Sequence, residues 1–264
     1  MNQSSSLVIF KNVIWALLNR EFRARFEKGY LSYIFASCEV FIHILVWWAL
    51  FSFRGKKPFL DMELPVFILS GVVPWLFFSK SVIMNLTVFE GNKAFLSYKQ
   101  VTIFAACVSR ILFVIVLIST GLFLGLVVFS YFGYSCFIYR PLDMILASIQ
   151  MILLSLGFSL IVSIPGYFFP DFTKVFPFIL RPFYFVSGVF WDISAFPPDV
   201  RDWLVWNPLL QIISLFRYSF LQRPLPDYIN FYHLWIIIIT TLFLGVSIYF
   251  CMRKELISNA RPRD

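Results

Sequence analysis

The chain has 264 residues and a mass of 31.0 kDa, with 60% hydrophobic, 20% aromatic and 14% charged residues and a mean hydropathy of +0.81. An average soluble domain is roughly 45–50% apolar and about 25% charged, and a domain this small cannot bury the excess. Composition therefore excludes a water-soluble globule, a disordered chain and a disulfide scaffold, while the net charge of +8 comes without the basic, aromatic-interleaved runs that single-strand binders need.

Residues 7–28 predict an amphipathic helix. Phe10, Ile14, Leu18, Phe22 and Phe26 recur every four positions, with Lys11, Arg20, Arg23, Arg25 and Lys28 supplying positive charge. A drifting apolar stripe with basic flanks suits a helix lying in the membrane interface. The residues before it lack the positive n-region of a cleavable signal.

A crossing needs about 20 mostly apolar residues, and the gaps between charges locate six, making the chain an all-α polytopic membrane protein. The expected spans are 30–53, 64–88, 104–133, 143–168, 174–191 and 230–251. No charge falls in 111–139, 144–170 or 228–252. The first span holds Glu39 and His43, four apart and so on one face within reach of each other, and Trp47 continues that stripe. The second holds Lys80, with Pro65 and Pro74 expected to bend it. The fifth is short and contains Arg181 and Pro182. Charge inside a membrane is costly, which makes Glu39 and Arg181 functional candidates.

Between spans two and three, Phe95 and Leu96 lie among Glu90, Lys93 and Lys99, a pattern suited to docking into a partner's groove. Between spans five and six, 192–228 is rich in Trp and Pro, and its apolar runs 203–206 and 209–216 are too short to cross. Short helices re-entering the outer leaflet fit that segment, provided protein or water covers the broken backbone. With both termini inside, twelve Lys and Arg fall on inner segments and seven on outer ones, Arg217 among the latter. The positive-inside rule then places both termini in the cytoplasm.

Catalytic signatures are missing. No GxxxxGK[ST] phosphate loop occurs, and neither GxSxG nor HExxH is present. His43 and His233 have no carboxylate or thiol cluster around them, and Cys38, Cys107, Cys136 and Cys251 are isolated, so neither a metal site nor a disulfide is expected.

Two stretches carry a family likeness. The first runs Arg20-Glu21-Phe22-Arg23-Ala24-Arg25-Phe26, then Gly29-Tyr30-Leu31-Ser32-Tyr33 and Glu39. The second holds Arg181-Pro182, Ser187-Gly188-Val189-Phe190-Trp191, Pro197, Trp206-Asn207-Pro208-Leu209 and Leu215-Phe216-Arg217. In this order they resemble polysaccharide permeases of the ABC-2 type, most closely the capsule-polysaccharide export branch, with O-antigen and teichoic-acid permeases as neighbours and a small-amphiphile or drug permease as the rival. Val40 stands where that family commonly has proline, and Gln211 where many members have histidine.

The resemblance implies the membrane subunit of an ATP-driven exporter of lipid-linked polysaccharide in the bacterial inner membrane. It implies a second copy of the chain and two ATP-binding cassette subunits that hold ATP and Mg, with no cofactor in this chain and no nucleic acid. A periplasm-spanning copolymerase and an outer-membrane export protein are further implied partners. It assigns Glu39, His43, Trp47, Arg181 and Tyr184 to a conduit, Arg23, Arg25 and Tyr30 to its cytoplasmic mouth, and Glu90, Asn92, Lys93 and Phe95 to coupling with the ATPase.

Overall fold

The computed structural model describes residues 6–26, 30–53, 62–95, 98 and 100–260, with side chains over 6–26, 38–53, 62–95, 98 and 100–252. All regular secondary structure among the described residues is helical, joined by turns and by longer connections at 132–140, 187–197 and 219–230. In chain order the helices are α1 (Ser6–Phe26), α2 (Tyr30–Phe53), α3 (Leu64–Asn85), α4 (Val88–Asn92), α5 (Ile103–Tyr131), α6 (Pro141–Phe168), α7 (Pro170–Val186), α8 (Pro198–Leu204), α9 (Pro208–Tyr218) and α10 (Phe231–Ala260). Four are long and apolar enough to cross a membrane: α3, α5, α6 and the Phe231–Met252 part of α10. Cys38–Phe53 of α2 is a shorter apolar stretch.

Local chemistry sets the helix starts. Proline occupies the first turn of α3, α6, α7, α8 and α9, where its missing N–H costs nothing. Thr102 caps α5 by accepting from Ala105 N, and Asn207 caps α9 by accepting from Leu209 N. Gly188, at φ +74°, turns the chain just after α7, a left-handed conformation that side chains resist. The fifth apolar segment thus ends as a helix at Val186, short of the expected 191. Its 17 residues span about 26 Å at ~1.5 Å per residue, slightly under a hydrocarbon core of about 30 Å.

The central helix is α3, which packs on α2, α5, α6, α7 and α9 and is buried on nearly every face from Pro65 to Phe78. Around it, α6 and α10 pair tightly. A Cβ at Gly157 or Gly245 would meet the other helix at under 3.0 Å, so small residues let the two backbones approach.

The two ends of the bundle differ. At one end α1 and α4 gather around the start of α5, the end of α6 and the end of α10, sharing a core of Leu17, Phe89, Ile103, Leu160, Ile164 and Tyr249. At the other end α9 inserts beside α3 and α6, buried from Leu209 to Tyr218. The 192–228 segment is therefore two short helices and a 3-10 turn at Ile193–Ala195, and α9 has its backbone covered by protein. The apolar run 203–206 forms no helix of its own; it straddles the end of α8.

The apolar stripe of α1 does not face outward into lipid. Phe10 stacks on Phe104 at 6.2 Å, and Phe22 and Phe26 meet Phe113 at 4.9 and 5.8 Å, so the stripe packs on α5. Leu7, Val8 and Trp15 lie on the open side of the helix. A four-residue repeat specifies an apolar face but not what covers it.

Candidate functional site

Three of the five expected conduit residues, His43, Trp47 and Tyr184, meet across the seam between α2 and α7. His43 and Trp47 sit one turn apart on α2, and Tyr184 faces them from α7. Tyr184 Oη is 2.9 Å from His43 Nε2, and Trp47 Nε1 donates to the same nitrogen at 3.1 Å. An indole N–H can only donate, so the network assigns Nε2 as an acceptor, places the imidazole proton on Nδ1 and leaves the ring neutral. The Tyr184 hydroxyl then shares the single lone pair of Nε2 with the indole as a second donor. The two helices are joined by this shared acceptor.

Around it stands an aromatic wall. Trp47 packs 4.2 Å from Phe190 and 6.0 Å from Tyr184. Tyr184 lies 5.4 Å from Trp75 and 4.9 Å from Phe190, and Phe51 stacks on Phe190 at 5.5 Å. Phe185, beside Tyr184, remains exposed.

Glu39 and His43 share a helix face but take different partners. Glu39 accepts from Lys80 Nζ at 2.7 Å, tying α2 to α3, while its carboxylate stays largely exposed. This pair lies on the wall of a cavity of about 690 Å³ that also meets Arg25, Phe26, Met84, Phe113 and Thr173. Mostly apolar but carrying the charges of Arg25, Glu39 and Lys80, and within the size range of ligand sites, it brings together Glu39 and Arg25, which the sequence separates. Arg181 is exposed on α7 with its guanidinium 4.4 Å from the Phe178 ring, one turn before Tyr184. Arg23 is exposed on α1. Tyr30 opens α2, and its side chain lies outside the described residues.

The expected coupling segment forms the single turn of α4 and the turn after it. Glu90, Lys93 and Phe95 are exposed. Asn92 is not: it is buried and donates to Val88 O at 2.7 Å, holding the turn from within. Leu96, Ser97 and Lys99 lie outside the described residues.

Three charged residues matter more than the sequence suggests. Arg217, counted above as an outer-loop charge, is fully buried. It donates to Gly188 O, Val189 O and Trp191 O at 2.9, 2.8 and 3.1 Å, reaches Ser70 Oγ at 3.4 Å, and sits 4.1 Å from the Phe67 ring. It clamps the turn after α7 to α3 and α9, and Gly71 makes room for it, since a Cβ there would come within 3.0 Å of both Val189 O and Arg217 Nη2. The sequence signal was an arginine ending an otherwise apolar run, 209–216. Asp192, also buried, accepts from Ser194 N and the Tyr228 hydroxyl.

The other two are Glu21 and Arg110, a buried pair at 3.1 Å between α1 and α5. Arg20 joins Glu21 at 2.9 Å and Arg25 approaches at 3.8 Å. Burial pushes the Glu21 carboxyl up, but the Arg110 charge and hydrogen bond, with Arg20, prevail and hold it below its ordinary value.

Among the described residues no group of three His, Cys, Asp or Glu stands close enough to hold a metal ion. The arrangement offers aromatic surfaces, an amphipathic cavity and helix-joining charge pairs, which suit passage and movement.

Comparison with known proteins agrees in kind. The family model of the ABC-2 type transporter matches residues 12–221. The polysialic acid transport protein KpsM of Escherichia coli is 28% identical over 249 residues, which cover 93% of this chain and 95% of that protein. The capsule polysaccharide export inner-membrane protein CtrC of Neisseria meningitidis serogroup A is 21% identical over 249 residues, 92% of each chain. The O-antigen export system permease protein RfbA of Myxococcus xanthus is 20% identical over 254 residues, 93% of this chain and 94% of that protein.

Proposed function

The chain belongs to the ABC-2 type transporter family, and from that premise we propose that it is the permease subunit of an exporter that moves a lipid-linked capsular polysaccharide across the bacterial inner membrane. ATP hydrolysis then belongs to separate ATP-binding cassette subunits, two per assembly, which carry ATP and Mg. Two copies of the permease complete the conduit. The observation that carries the substrate class is the near full-length similarity to KpsM and CtrC.

In this reading α2 and α7 join the four long apolar helices as crossings, giving six. The end bearing α1 and α4 faces the cytoplasm and 192–228 re-enters from the outside. Burial of α9 supports that placement, because irregular backbone at membrane depth needs protein around it. The α1 helix lies along the inner interface with Leu7, Val8 and Trp15 toward lipid.

Glu39, His43, Trp47, Arg181 and Tyr184 line the conduit. A glycan is polar at its hydroxyls and apolar on its C–H faces, so an aromatic wall lets it slide, and weak repeated contacts avoid trapping it. Arg23, Arg25 and Tyr30 form the cytoplasmic mouth, where a basic surface attracts an acidic sugar or lipid phosphate. Glu90, Lys93 and Phe95 meet the ATP-binding subunits, and Asn92 shapes their turn. A periplasm-spanning copolymerase and an outer-membrane export protein would receive the polymer.

The similarity to RfbA favours a second substrate, O-antigen, within the same mechanism; teichoic acid would travel by the same route. Purifying the chain from its own cells tests the proposal. An ATP-binding subunit should co-purify, and ATPase activity should rise with capsular glycan. Stimulation by O-antigen instead would move the substrate, and stimulation only by small amphiphiles would replace the polysaccharide reading with a drug or lipid exporter.

A further inference from the structure

Arg110 occupies an unusual position. It lies near the start of α5, is 5% exposed, and touches three other parts of the chain at once. Its Nε donates to Glu21 Oε1 on α1 at 3.1 Å, and its Nη1 donates to Met84 O in the last turn of α3. Its Nη2 lies so close to Gly91 of α4 that a Cβ there would come within 3.0 Å. A second link runs parallel to it: the Arg20 guanidinium of α1 sits 4.9 Å from the Phe95 ring just after α4.

Stability alone is a weak reason for such a group. Well-packed apolar side chains often serve as well as a buried ion pair, so a buried pair is better accounted for when it fixes a register or a switch. Here the guanidinium is the junction of α1, α3, α4 and α5. Met84, Arg25 and Phe113 also border the 690 Å³ cavity beside Glu39, so α1 cannot shift at Glu21 without changing that wall.

We propose that Arg110 is a positioning residue for transport: it carries displacement of the α4 segment to α1, so that ATP-driven movement at α4 changes the cavity wall formed by Arg25 and Phe26. This rests on the exporter reading given above. The guanidinium fork bonds α1 and α3 while packed against α4, so it forms a continuous chain of contacts along which movement at α4 can reach α1. A lysine keeps the charge opposite Glu21, but its single ammonium lacks the planar fork that spans Glu21, Met84 and Gly91 together.

The test uses the assembled complex with its ATP-binding subunits and follows hydrogen exchange of residues 6–26 with and without a non-hydrolysable ATP analogue. In the unaltered chain, the analogue should change α1 protection. Arg110→Lys should leave assembly and basal ATPase within about twofold of normal, abolish the ATP-dependent change in α1, and lower glycan exported per ATP hydrolysed at least tenfold. Gly91→Ala, which leaves both charges in place and presses a methyl group on Nη2, should diminish the same response. An α1 that still responds fully to the analogue in Arg110→Lys overturns the role of Arg110, even if its resting protection falls, because a merely structural pair would change only the resting level. Failure of any ATP-binding subunit to join the complex instead overturns the exporter reading, and this proposal with it.

Discussion

Replacing Arg217 by methionine tests how the segment after α7 is held. Methionine keeps much of the apolar stem but removes the donors to Gly188 O, Val189 O and Trp191 O. Each buried carbonyl left without a partner costs about 1–3 kcal/mol. Asp192, only 1% exposed, would also lose its nearby positive charge. Against this stands relief from burying a guanidinium. When one member of a buried charged network is removed, the net loss is typically about 3–5 kcal/mol. At ~2–4 °C per kcal/mol for a chain of about this size, thermal unfolding of the purified protein should fall by roughly 6–20 °C. Arg217→Lys, which keeps the charge near Asp192 but loses the fork, should fall about half as far. A shift under about 2 °C for Arg217→Met, with unchanged export, would refute the clamp.

Other outcomes follow from the same contacts. Trp47→Ala removes the ring against Phe190 and the donor to His43, and export should fall about tenfold at matched protein level; Trp47→Phe, which keeps a ring, should retain more, and unchanged export in the alanine variant would sink the aromatic wall. Charge reversal at both Glu90 and Lys93 should leave basal ATPase intact and uncouple it from export; normal coupling would remove them from the ATPase contact. Because the Glu21 carboxyl is held below its ordinary value, its contribution to α1 docking is complete above the ordinary carboxylate range and is lost as pH falls through the lowered native value. Limited proteolysis of α1 should therefore show an acid transition that Glu21→Gln abolishes; a transition unaltered by that change would assign it elsewhere.

Much of the helical plan was legible because lipid imposes a simple rule on sequence: long charge-free runs must form helices. Residues 111–139, 144–170 and 228–252 accordingly fall largely on α5, α6 and α10. What the rule could not give was direction. The stripe on α1 is equally suited to lipid or protein, and only tertiary packing assigns it to α5. Arg110 falls inside the expected 104–133 span without being singled out, and Arg217 counts as a loop charge, yet both are buried junctions, because hydropathy records the cost of a charge without its partners. Glu39 and His43 share a face as their spacing requires, but their partners, Lys80 and Tyr184, lie 41 and 141 residues away along the chain. Trp47 follows from helical spacing and Tyr184 only from family resemblance, and the hydrogen bonds to His43 supply the physical link between them. Asn92 is a polar residue in a charged segment whose burial the sequence does not show: its Nδ2 donates to Val88 O within its own helical turn, and its Oδ1 is buried without a hydrogen-bond partner among the described residues.

The most direct test of the exporter account is the location of capsular glycan in cells lacking this chain. Polymer that is synthesised normally but accumulates in the cytoplasm, and reaches the surface again when the chain is restored, is the predicted result. A normal surface capsule in those cells would contradict it.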